Sequence, residues 1–162
     1  MEFRELTAEY DAALAALIRY NLKNHGLDIP GTVYFDEGLD HLSAFYAEKP
    51  DQRYYFILLD DGGKLVGGMG FAEFPHYENC AELQKLYLAD EVKGQGLSYR
   101  LMREAEEKAR AFGYGELYLE THSNLRTAIH LYRKCGYTEI PRPDFVNHST
   151  MDTFFRKTLS VN

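Results

Sequence analysis

Residues 80–121 admit few arrangements. An apolar, β-rich run, "CAELQKLYL" at 80–88, passes through "ADEVKGQG" and opens into a helical pattern from about residue 95 to 112. There Leu97, Leu101, Ala105, Ala109 and Phe112 recur at near four-residue steps, opposite Arg103, Glu106, Glu107 and Arg110. A second β-rich run, "GELYLET" at 115–121, follows directly. Strand, amphipathic helix and strand in this order form a crossover. It places the two strands in one sheet with the helix on a face of it.

The rest of the chain supplies antiparallel neighbours. Residues 2–6 read as a short strand, and Thr7 as the cap of a helix running to about Asn24, where Gly26 stops it. The loop "HGLDIPGTVYF" leads to a shorter helix over 39–47. "RYYFILL" at 53–59 and "KLVGGMGFAEF" at 64–74 form a hairpin about "DDGGK". Gly67, Gly68 and Gly70 inside the second strand point to a bulge or a close backbone approach. A helix over 125–135 ends at Gly136. "YTEI" starts a strand, Pro141 and Pro143 force an irregular excursion, and "MDTFFRKTL" closes the chain as a strand. The order β α α β β β α β α β β predicts an α+β fold, an α/β/α sandwich around a mixed sheet.

At 162 residues and 45% hydrophobic content, the chain reads as a single domain, 1–162, with a real core. A formal net charge of −7 argues against a general nucleic-acid binder, which needs clustered cations. No apolar run has the length to span a bilayer. The polar opening "MEFRELTAEY" is unlike a signal peptide, and Cys80 and Cys135 read as free thiols. Together they predict a cytoplasmic protein. The six histidines, His25, His41, His76, His122, His130 and His148, show no metal-ligand spacing, so no metal is expected.

Glycines at 94 and 96 stand where a helix begins. The first N–H groups of a helix lack intrahelical partners and carry the positive end of its dipole. Glycine lets an anion reach them, which makes a phosphate cradle, with Lys93 at its lip. The phosphate-binding pattern G-x-x-x-x-G-K-[ST] is absent, and G-x-G-x-x-G fails at Tyr99.

Lys93-Gly94-Gln95-Gly96-Leu97-Ser98, after a strand and before a helix, resembles the acyl-CoA motif of the GNAT superfamily of N-acetyltransferases. Lys93 stands in place of Gln or Arg, and Ser98 in place of Gly or Ala. Downstream, Asn124, Ala128, Leu131, Tyr132, Lys134 and Gly136, with Tyr137 for Phe, resemble the family's second motif.

The resemblance implies a strongly twisted mixed sheet of about six to seven strands, with central parallel strands 80–88 and 115–121 splayed apart. Acetyl-CoA would lie in the gap as co-substrate. Its pyrophosphate would meet the N–H groups of residues 93–98, its pantetheine arm would meet Leu86, Leu88 and Asn124, and Ala128 would also bind the co-substrate. Tyr132 matches the family's proton donor to the leaving thiolate. Glu82 stands where some members carry a base, with Glu73 and Glu120 as rivals. His122 is a candidate shuttle, and Cys135 reads as core. The expected reaction is acetyl transfer to a primary amine of a small molecule by direct attack in a ternary complex. A silent acyl-CoA sensor and a protein N-acetyltransferase are the alternatives. A homodimer through the C-terminal strands is compatible with the likeness. "HGLDIPGTVYF" and "RPDFVNHST" would border the acceptor side, with Tyr34, Phe35 and Phe145 as candidate lining.

Overall fold

The computed structural model describes residues 1–147 and 149–160. His148, one of the histidines considered above, lies outside them. The strands are β1 (Glu2–Glu5), β2 (Tyr54–Leu59), β3 (Leu65–Glu73), β4 (Cys80–Leu88), β5 (Glu116–Thr121), β6 (Thr138–Ile140) and β7 (Thr153–Thr158). The α-helices are α1 (Asp11–Asn24), α2 (Leu42–Ala47), α3 (Leu97–Ala111) and α4 (Arg126–Lys134). One seven-stranded sheet runs β1-β2-β3-β4-β5-β7-β6. β4 and β5, joined through α3, pair parallel, and the other neighbours are antiparallel. The α+β, mixed-sheet expectation holds. No helix among the described residues is long and apolar enough to cross a membrane.

Helices cover both faces because the strands alternate their side chains. From β2, Phe56 and Leu58 join the core beneath α3, with Met69, Phe71, Leu101 and Phe155. Tyr55, Ile57 and Leu59 join the opposite core against α1, with Leu14 and Ile18.

α1 starts later than Thr7 would have it. Residues Ala8–Tyr10 form a 3-10 turn, and the Thr7 side chain caps nothing. The physical reason sits one turn on. The buried Asp11 carboxylate accepts from the Ser43 N–H at 2.9 Å and the Ser43 hydroxyl at 2.6 Å, which ties α1 to the start of α2. Similarly, the helix expected over 39–47 is a 3-10 turn, Glu37–His41, before α2 begins at Leu42.

The glycines of β3 make room for an aromatic ring. A Cβ on Gly68 or Gly70 would lie 2.5 or 2.4 Å from ring atoms of Tyr55. The bulge is there too, but its extra residue belongs to β4. Gly68 faces Tyr87 while Gly70 faces Gln84, so three steps on β4 oppose two on β3. The Tyr55 hydroxyl donates to the Lys85 carbonyl at 2.6 Å, and Lys85 takes a left-handed φ of 54°.

Candidate active site

β4 and β5 pair only at Cys80–Glu116, Ala81–Leu117 and Glu82–Tyr118. Beyond Glu82 the ladder stops, and a cleft of about 690 Å³ opens between the strands. The bulge at Lys85 accounts for the parting, since an extra residue bends its strand. α3 begins at one end of this cleft and α4 lines its side.

At the α3 end the site is made of backbone. Gly94 and Gly96 take φ values of 78° and 73°, with nothing within 4 Å of where a Cβ would stand. The amide N–H groups from Gly94 to Tyr99 have no acceptor among the described residues. This open nest of donors at the start of a 15-residue helix fits a pyrophosphate. Gly94, Gly96, Leu97 and Ser98 face the cleft. Gln95 does not line it, and its side chain turns to the Glu91 carbonyl at 3.4 Å. The Lys93 ammonium stands at the lip, held by Asp90 at 2.7 Å and by Asn21 at 3.4 Å.

The middle of the cleft is an open strand edge. The Ala89 N–H bonds to Val66 on the β3 side. Peptide groups alternate along a strand, so those of Leu88 and Leu86 point into the gap. They are available to a ligand that lies there as an added strand. Ala128 lines the opposite wall. Asn124 is placed differently from the pantetheine contact expected of it. Its side-chain amide donates to the His25 carbonyl at 3.0 Å, and it is not part of the cleft wall. It braces the loop before α4 against the end of α1.

At the far end the site is made of side chains. Glu82 occupies the last paired position before the strands part. Gln84 donates to its carboxylate at 2.7 Å, and the Tyr46 hydroxyl holds Gln84 at 2.8 Å. Burial pushes the Glu82 carboxyl above its ordinary value. The Gln84 bond opposes that, and the nearby charge of Glu120 adds to it. Glu120 also lines the cleft and accepts the Tyr118 hydroxyl at 2.8 Å. Glu73 is set apart. The Arg53 guanidinium grips it at 2.6 Å and Lys49 at 3.1 Å, which holds its carboxyl at about 2, and it does not reach the cleft. A carboxylate so held is a poor proton acceptor at neutral pH.

Tyr132 lines the cleft from α4, its ring against Tyr137 and Phe155. Its hydroxyl makes no hydrogen bond to a described residue, yet it is not sealed in the core, because no enclosed side-chain polar atom among the described residues lacks a partner. It therefore opens to the cleft. Burial raises its pKa, and Cys135 adds to that, so the phenol is protonated at neutral pH.

His122 is part of a loop brace. Its Nδ1 accepts the Asn124 N–H, and Nε2 lies 3.8 Å from Asp152. Of the aromatic residues expected near the acceptor, Phe145 stacks on His76 at 4.0 Å and lines a smaller groove that shares Glu120 with the main cleft. Tyr34 packs against the α1 core, and Phe35 is exposed. Lys85 and Tyr87 line the cleft and were not singled out from the sequence. Their signal was the glycine strand opposite, which marks the bulge that carries them.

This geometry agrees with comparison to known proteins. The sequence model of the acetyltransferase (GNAT) family matches residues 19–137. This chain belongs to that family. It is similar to the uncharacterized N-acetyltransferase YjgM of Escherichia coli, at 35% identity over 139 residues, covering 85% of this chain and 81% of that one. Its fold matches a GNAT-family acetyltransferase from Staphylococcus aureus, with a TM-score of 0.85 at 18% identity, covering 98% and 99% of the two chains. It also matches the PaiA N-acetyltransferase from Thermoplasma acidophilum in complex with coenzyme A, with a TM-score of 0.77 at 21% identity, covering 97% and 98%. The chain is thus a GNAT acyltransferase, of a family that uses acetyl-CoA, with the splayed central strands on which its cleft depends.

Proposed function

We propose that this GNAT enzyme is one N-acetyltransferase domain that moves an acetyl group from acetyl-CoA to a primary amine of a small molecule by direct attack. The observation that carries the proposal is a single cleft lined by an unbonded amide nest, a half-buried carboxylate and an unengaged tyrosine hydroxyl. When bound, the co-substrate supplies an activated acetyl thioester. The nest from Gly94 to Tyr99 would hold its pyrophosphate, and a fold neighbour, the PaiA N-acetyltransferase, is known in complex with coenzyme A. The edges of Leu86 and Leu88 would hold its arm. Glu82, its proton affinity raised by burial, takes a proton from the incoming ammonium, directly or through water. Tyr132 supplies a proton to the departing sulfur.

A small acceptor is favoured over a protein by the walls of the cleft. Leu27, Gly31 and Thr32 from one loop and Ser149 and Met151 from another line it. The Thr150 hydroxyl bridges the two loops through the Gly31 carbonyl at 3.0 Å. The free thiols Cys80 and Cys135 support a reducing, cytoplasmic setting.

Thiol release from acetyl-CoA against a panel of small amines, lysine peptides and N-terminal peptides tests this. Turnover on a small amine, with the acetylated amine found by mass spectrometry, is the expected result. Turnover on peptides alone would replace the acceptor class. Silence across the panel, with CoA still raising the melting temperature, would mark an acyl-CoA sensor instead.

A further inference from the structure

The cleft between Glu82 and Leu86 carries a cation that the proton transfers above do not use. Lys49, Lys64, Lys93 and Lys157 each form an ion pair with a carboxylate. Lys85 forms none with a described residue and lines the cleft, half buried. Burial weakens its hold on its proton, against the opposing pull of Asp36 and Glu82, which are near but not in contact. A desolvated ammonium without a partner is unfavourable unless a ligand supplies one.

The position is also built. Lys85 sits in the left-handed region, which is uncommon for a residue with a side chain. Tyr55 fixes it there through the Lys85 carbonyl, and the Tyr55 ring fits only because Gly68 and Gly70 lack side chains. The bulge brings Lys85 into the cleft three residues from Glu82, with Glu120 across the fork. One short stretch of the cleft therefore offers a cation beside Glu82 and Glu120, with Asp36 also lining the cleft near Lys85. That pattern matches a ligand carrying a cation beside an anion.

Resting on the acetyltransferase reading above, we infer that Lys85 receives a carboxylate of the acceptor. The acceptor is then an amino acid or a similar amine with an acid group a few bonds from its nitrogen. The amine faces Glu82 and Glu120, and the acid faces Lys85. A charge-assisted contact of this kind sets specificity through the partner left unpaired when the acid is absent.

The test compares amino acids with their carboxamides and their decarboxylated amines as acceptors, in wild type and in Lys85→Met and Lys85→Arg. Wild type is expected to favour the acid over its carboxamide by about tenfold or more in kcat/KM, the worth of one charged hydrogen bond. In Lys85→Met that preference collapses toward one, while Lys85→Arg keeps most of it. The wild-type comparison of acid with carboxamide decides the matter even if a variant fails to fold. Equal turnover of acid and carboxamide would overturn the role of Lys85 and leave the acetyltransferase reading standing. So would an equal loss on all acceptors in Lys85→Met, or acetylation of Lys85 itself found by mass spectrometry of the protein. No turnover on any acceptor, peptides included, would overturn both.

Discussion

The two ends of the cleft solve their tasks in different materials. The α3 end is backbone: amides from Gly94 to Tyr99 without acceptors, two left-handed glycines and open space before them. The rest of the cleft is side chain: Glu82, Lys85 and Glu120 at the β4–β5 fork and Tyr132 on the α4 wall, drawn from three elements. A backbone site tolerates many residues but demands glycine at fixed places, so its pattern is compact in sequence. A side-chain site depends on what packs around each group, so its members are scattered and individually ordinary. The first kind suits a ligand shared across a family, and the second suits one particular to each enzyme.

The sharpest way to break this division is to put a side chain where the backbone must be bare. Gly96→Glu should abolish CoA binding, read as loss of the CoA-dependent rise in melting temperature, while the protein still melts cooperatively. Unchanged CoA affinity would remove the cradle. At the other end, Glu82→Gln should lower kcat/KM by about 10²-fold with CoA affinity retained. Its pH profile gives the sign. A base must be ionised, so wild-type activity should rise with pH through the carboxyl's own pKa, above its ordinary value. The variant should lose that acidic limb. An unchanged limb would pass the role to Glu120 or to water. The smallest effect concerns the support beneath both ends. Gly70→Ala should cost about 1–3 kcal/mol of stability by crowding the Tyr55 ring and the Tyr54 carbonyl, seen as a lower denaturant midpoint. No loss would mean that Tyr55 can move, and that the bulge at Lys85 does not depend on it.

The same division explains what the sequence revealed. The order of elements and the crossover were legible because the apolar periods switch cleanly between strand and helix. The glycine loop was legible because the chemistry dictates the residue. Tyr132 was marked by the resemblance of its helix to the family motif, and the fold adds that its hydroxyl has no described partner beside the cleft. The choice between Glu73 and Glu82 was not legible. Arg53, twenty residues from Glu73 in sequence, is what holds Glu73 ionised and outside the cleft. Asn124 matched a motif, yet its side chain reaches His25, a contact across 99 residues. Thr7 looked like a helix cap, but Asp11 and its bonds to Ser43 set where α1 begins. The bulge in β4 left its trace one strand away, in glycines whose purpose is a tyrosine ring.

The most direct measurement is thiol release by wild type and Tyr132→Phe side by side, with CoA affinity measured on both. Removing one hydroxyl from the side-chain end should lower kcat by about 10²-fold and leave CoA affinity within about twofold. Full activity at every pH, or an equal loss in turnover and CoA binding, would contradict the assignment of proton donation to Tyr132 and with it the separation of the two ends.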